Sequence, residues 1–113
     1  RDGSFITGKL GDDLSVKEGY EAAQFTVLNL LASLKAEIGD LDRVSQVVKI
    51  LAMVNSTQDF IEQPAVANGA SDLLVEIFGE RGRHARSAIG MEALPFNVAI
   101  EIEMIVEVSP QDA

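Results

Sequence analysis

Cysteine is absent from this chain, and histidine occurs once, at His84. The first absence excludes a disulfide framework and a thiol nucleophile. The second excludes a histidine cluster. No metal-ligand spacing surrounds His84, which reads as a surface residue, so no metal is expected. Basic residues are scarce: 9 Lys and Arg stand against 18 Asp and Glu, for a net charge of −9. Nucleic-acid binding rests on neutralising phosphates with Lys and Arg, so this balance disfavours RNA or DNA as a partner. The one candidate basic patch, Arg81, Arg83, His84 and Arg86, has no interleaved aromatic residues. No apolar run approaches the roughly 20 residues that span a bilayer, so no membrane partner is expected. A cysteine-free chain with no visible secretory segment fits a cytoplasmic protein.

What is present is periodicity. With 113 residues, 47% of them hydrophobic, the chain reads as one domain, 1–113, that buries roughly two-thirds of its extended surface. Ser15-Val16-Lys17-Glu18 fits a capping box. Behind it Tyr20, Ala23, Val27, Leu30, Leu31, Leu34 and Ile38 recur at helical spacing, and Gly39 supplies a left-handed stop. The spacing predicts a helix over 16–38. The β-branched and apolar run from Val44 to Asn55 predicts a strand buried on both faces, one against the helix and one against a neighbouring chain. Asn55 to Asp59 is turn-like. Pro64 suits the first turn of a second helix, whose apolar face is Val66, Ala70, Leu73, Leu74 and Ile77. Gly79 to His84 reads as an exposed charged loop, 4–7 as a short strand, and 109–113 as a frayed tail.

The stretch from Gly82 to Val108 holds two further strands. Ala85 to Met91 carries Arg86 near its start. Val98 to Val108 alternates, with Val98, Ile100, Ile102, Met104, Val106 and Val108 on one side and Glu101, Glu103, Ile105 and Glu107 on the other. Leu94-Pro95 connects them, and Pro95 cannot donate a ladder bond. Pairing of these two strands would put a guanidinium and several carboxylates on one sheet. The order strand, helix, strand, helix, strand, strand predicts an α+β domain with two helices on one face of the sheet. The other face, left partly apolar, calls for self-association.

Arg86 is the sharpest chemical candidate. A planar guanidinium offers two parallel donors to a carboxylate, which a lysine cannot match. The alternative is an arginine paired with a neighbouring Glu. Glu101 and Glu103 share a strand face, where one could orient or deprotonate a water. They could equally form a solvated face or pair with Lys49. Ser87 has no histidine placed by local sequence, so a Ser-His-acid triad is not expected. Gly79-Glu80-Arg81-Gly82 lacks the phosphate-loop pattern and its strand-to-helix setting. Asn68, near the start of the second helix, reads as a local hydrogen-bonding residue.

Ala-Arg-Ser at 85–87, Leu-Pro at 94–95 and Ile-Glu-Ile-Glu at 100–103 resemble, in register, the signature of the Rid (YjgF) family of imine deaminases, some of whose relatives carry an endoribonuclease L-PSP label. The resemblance implies a chorismate-mutase-like two-layer α+β sandwich with a mixed sheet, and a homotrimer with ligand clefts between subunits. It implies hydrolysis of small 2-imino acids, such as 2-iminopropanoate, to 2-oxo acids and ammonia without a cofactor. The alternative is a non-catalytic module that retains a small carboxylate or metabolite. By the same resemblance Arg86 binds the substrate carboxylate and Glu101 serves the attacking water. Asn68 lies near the cleft beside Ser87 and Ala88, and Ala88 stands where many members have cysteine. The hairpin with which the family opens is not visible, and Arg1 is not an initiator Met, so the chain is expected to be a fragment or processed product lacking that hairpin.

Overall fold

A computed structural model of the chain describes residues 6–110. Its elements are α1 (Val16–Ile38), β1 (Val44–Asn55), α2 (Gln63–Phe78), β2 (Ala85–Met91) and β3 (Ile100–Val108), with three short 3-10 turns between them. The capping box forms as its spacing requires. The Glu18 N–H donates to Ser15 Oγ at 3.2 Å, and the Ser15 N–H donates to Glu18 Oε1 at 2.9 Å. At the other end the Gly39 N–H donates to the Lys35 carbonyl at 2.8 Å and closes the helix. No helix among the described residues is long and apolar enough to cross a membrane.

The sheet order is β2-β1-β3. β1 is parallel to β2 and antiparallel to β3. A parallel pair needs a long crossover, and α2 supplies it. The two late strands therefore do not pair with each other. The longest strand, β1, takes the centre, where two neighbours flank it. The short, polar and glycine-bearing β2 goes to one edge.

Alternation along β1 assigns the faces. Ile50, Ala52 and Val54 are 0% exposed and lie under both helices. Their register partners are Met104, Ile102 and Ile100 on β3, and Arg86, Ala88 and Gly90 on β2. Leu51 and Met53 point to the opposite, open face and are half-buried there, beside Ser87, Ile89, Glu101 and Glu103. The expected burial of β1 on both faces is thus complete on one side of the chain and partial on the other. From above, the helices contribute Ala23, Val27 and Leu31 of α1 and Val66, Ala70 and Leu74 of α2 to the core. Each such fully buried branched aliphatic side chain contributes about 1.5–3 kcal/mol.

The helices approach closely at Gly69. A Cβ there would lie 2.1 Å from the Tyr20 carbonyl oxygen, so any larger residue would force them apart. Next to this contact Tyr20 Oη donates to Asp72 Oδ2 at 2.8 Å and ties α1 to α2.

Local chemistry differs from expectation in four places. Residues 4 and 5 of the expected first strand lie outside the described residues; after them Thr7 makes a single antiparallel bridge with Val98. β3 begins at Ile100 rather than Val98, because Phe96 and Asn97 turn the chain at φ 57° and 56°. A left-handed Phe is strained, whereas Asn tolerates this conformation, and buried Asn55 braces the turn by donating from Nδ2 to Asn97 Oδ1 at 3.0 Å. The loop after α2 is a 3-10 turn, Gly79–Gly82, not a free charged loop. In it Arg81 donates to the Val44 carbonyl at 2.7 Å and lies over the Phe78 ring. Ser109, expected in a frayed tail, is held by its N–H to the Arg43 carbonyl at 2.8 Å, and its own carbonyl accepts from the Arg43 guanidinium.

Candidate functional site

Arg86 sits on edge strand β2 with its side chain on the helix-covered face, since it is in register with Ile50. Among the described residues no further strand covers this edge, and Arg86 is exposed at the rim of the core. Asn68 and Ser71 of α2, three positions apart and hence on one side of that helix, face it. Arg86 Nη1 donates to Asn68 Oδ1 at 2.8 Å and to Ser71 Oγ at 3.2 Å. Both acceptors are neutral. Among the described residues no carboxylate lies within ion-pairing distance of Arg86, and Nε and Nη2 have no partner. The alternative of an arginine neutralised by a neighbouring Glu is therefore not what the fold builds.

His84 belongs to the same cluster. Its Nε2 is 2.8 Å from Ser71 Oγ and its Nδ1 is 2.5 Å from the Gly82 carbonyl oxygen. Gly82 is buried against α2, where a Cβ would meet the Leu74 carbonyl oxygen at 2.2 Å. Only glycine lets the chain pass so close to the helix and bring His84 to Ser71. Ser71, Val75, Arg83, His84 and Arg86 line a depression of about 230 Å³. Arg83 at its rim pairs with Glu80 at 3.1 Å.

Glu101 lies elsewhere. It is in register with Met53, as Glu103 is with Leu51, so both point to the open face from the opposite edge strand. Arg86 and Glu101 are thus separated within one chain by β1 and by the thickness of the sheet. Glu101 also borders an apolar groove of about 420 Å³ between α1 and β3, with Leu30, Phe96, Ile100 and Ile102. Of the residues singled out from sequence, the fold brings Asn68 to Arg86. It sets Ala88 on the same face two positions along, and places Ser87 and Glu101 on the other. A larger depression, about 680 Å³, lies at the carboxyl ends of β1 and β2 between Lys9, Gln63 and Glu92 and does not include Arg86. Among the described residues no group of three or more His, Asp and Glu side chains could hold a metal ion.

Ser71 and the buried side of His84 escaped the sequence reading. Ser71 shares a helical face with Asn68, which is a usable signal. Nothing periodic links it to His84, because the turn between them is built by a glycine contact that sequence spacing does not reveal.

Two helices on a three-stranded mixed sheet of this topology define the chorismate-mutase-like fold. The family model described as "YjgF/chorismate_mutase-like, putative endoribonuclease" matches residues 2–108, and the chain belongs to this YjgF-like family. Protein TCP17 of Trypanosoma cruzi is 49% identical over 108 residues, which cover 95% of this chain and 68% of that protein. Two crystal structures are also similar. Protein Atu1372 of Agrobacterium tumefaciens, of unknown function, superposes with a TM-score of 0.94 at 43% identity, over 97% of this chain and 71% of that one. A "putative endoribonuclease" from Shewanella oneidensis MR-1 gives 0.91 at 38% identity, over 96% and 72%.

Proposed function

We propose that the chain is a cofactor-free hydrolase that deaminates small 2-imino acids to 2-oxo acids, in a cleft completed by a second copy of itself. One observation carries this reading: Arg86 is oriented by two neutral acceptors while its Nε–Nη2 edge has no partner among the described residues. In a chain with a net charge of −9, a cation left without a carboxylate is suited to a small anionic ligand. The free edge of the guanidinium can take both oxygens of a substrate carboxylate.

The substrate R–C(=NH)–COO⁻ then holds its electrophilic carbon beside the sheet edge. Glu101 of a neighbouring copy orients a water that adds to this carbon. The carbinolamine gives up its hydroxyl proton as the C=O forms, the C–N bond breaks, and ammonia leaves carrying both protons of the water. The products are R–CO–COO⁻ and NH₃. Fixing both reactants supplies the proximity contribution. Association into a homotrimer accords with an open face that carries Ile89 and Ile105, 43% and 60% exposed, which it would cover beside Glu101. A cytoplasmic setting accords with the absence of cysteine.

Ammonia release from freshly generated 2-iminopropanoate tests the activity. Arg86→Ala should lower kcat/KM by about 10- to 100-fold, the loss expected for hydrogen bonds to a charged group; unchanged activity would reject the assigned role. The separation of Arg86 from Glu101 in one chain favours a second reading, a carboxylate-binding protein that turns nothing over. Thermal stabilisation by 2-oxo acids without ammonia release would select it. Cleavage of RNA, which the family description names, has the acidic composition against it. Salt-dependent RNA affinity would restore that option.

A further inference from the structure

Ser71 and His84 have no part in the reaction outlined above, yet their hydrogen bonds run in one direction. The Gly82 carbonyl can only accept, so His84 must offer an N–H from Nδ1. In the neutral ring this leaves Nε2 a bare acceptor. The Ser71 hydroxyl, 2.8 Å away, therefore donates to Nε2. Its oxygen lone pairs are then left for Arg86 Nη1 at 3.2 Å. Donation thus passes from guanidinium to hydroxyl to imidazole to backbone carbonyl.

The far end of this chain is rigid. Gly82 is wedged against the Leu74 carbonyl, and the turn that carries it is pinned through Arg81 to Val44. The near end is where the polarity matters. A freely rotating Ser71 hydroxyl could turn its own proton toward Arg86 Nη1 and lose the accepting contact. With its proton committed to His84, Ser71 can only accept from Arg86. Both Nη1 hydrogens are then occupied, one by Asn68 and one by Ser71, and the guanidinium plane is set.

We propose that Ser71 and His84 are positioning residues: the imidazole, in its Nδ1–H tautomer, makes Ser71 an obligate acceptor for Arg86 and so presents the free guanidinium edge to a substrate carboxylate. The role rests on the reading of Arg86 as a carboxylate anchor. It predicts an effect on binding rather than on the chemical step.

His84 is the chain's only histidine, so ring ¹⁵N resonances in the full chain report on it without assignment ambiguity. With the ring neutral, a protonated Nδ1 and an unprotonated Nε2 are expected; a protonated Nε2 overturns the proposal whatever the ligand. Pyruvate titration and ammonia release then test the role. Ser71→Ala and His84→Ala should weaken pyruvate affinity and raise KM by about 3- to 10-fold, the loss of one modest hydrogen bond. Their kcat should stay within about twofold, as for loss of uniform binding. Ser71→Thr, which keeps the hydroxyl, should restore affinity. Variants that fold, by circular dichroism, and match the wild type in affinity and KM overturn the positioning role alone, as does a fall in kcat without a change in KM. A wild type that neither binds pyruvate nor releases ammonia overturns the anchor reading itself, and the role with it.

Discussion

The two faces of the central strand are made from neighbouring residues and have opposite fates. On one, Ile50, Ala52 and Val54 are sealed under α1 and α2. On the other, Leu51 and Met53 lie half-buried between Ile89 and Ile105, with Glu101 and Glu103 beside them. The first face is complete within a single chain; the second is an apolar surface edged with carboxylates. The candidate chemistry is divided in the same way, with Arg86 at the rim of the sealed face and Glu101 on the open one. Stability and function therefore make different demands on the same strand. The sealed face holds the domain together, and the open face has a role only if something meets it.

Three substitutions test that contrast. The largest effect is expected on the sealed side, where Ile50→Ala should cost about 2–5 kcal/mol by removing a fully buried side chain and leaving a cavity. Urea unfolding followed by circular dichroism measures it; a loss below that range would mean that the core collapses around the site.

On the open side Ile105→Ser should change the unfolding free energy of the dissociated chain by no more than about 0.5 kcal/mol, as at other exposed positions. If the open faces of copies meet, the same substitution should lower the mass observed by light scattering. A large loss of stability with no change in mass would mean that the chain itself covers this face.

The smallest effect concerns the clamp between the helices. The hydrogen bond to Asp72, with burial and the nearby Asp72 and Glu76 charges, raises the Tyr20 hydroxyl above its ordinary range. A group whose folded value is raised contributes stability that is present below the unfolded value and lost as pH rises through the folded one. Tyr20→Phe should therefore lower stability slightly at neutral pH, where the wild type has this contribution. The difference should vanish as pH rises through the folded value, which flattens the alkaline end of the stability-against-pH curve. Thermal unfolding across pH 8–11, roughly the range around the ordinary tyrosine value, shows whether it does.

Much of the fold was legible because its signals are local. The Ser15–Glu18 box and the heptad-like apolar spacing behind it place α1, and Pro64 with its apolar stripe places α2. Alternation marks β3. The family signature around Arg86 was legible for the same reason, since Ala85-Arg86-Ser87 and Ile100-Glu101-Ile102-Glu103 are short contiguous words. Strand partnership was not. Nothing within 85–108 says that β1 will come between its two strands, because pairing depends on how an apolar strand far back in the chain is best buried. The Ser71–His84 contact was hidden likewise, behind a glycine whose value lies in the absence of a Cβ against a distant carbonyl.

Side-chain period and end-capping are encoded residue by residue, since each depends on groups no more than a turn apart, and they suffice to list the helices and strands of this protein and to nominate its guanidinium. Which strand lies central, which face each charged group occupies, and which atoms hold Arg86 in place follow from contacts between segments far apart along the backbone. Those contacts are won by competition among all the surfaces to be buried, and that competition is resolved when the whole chain closes on itself.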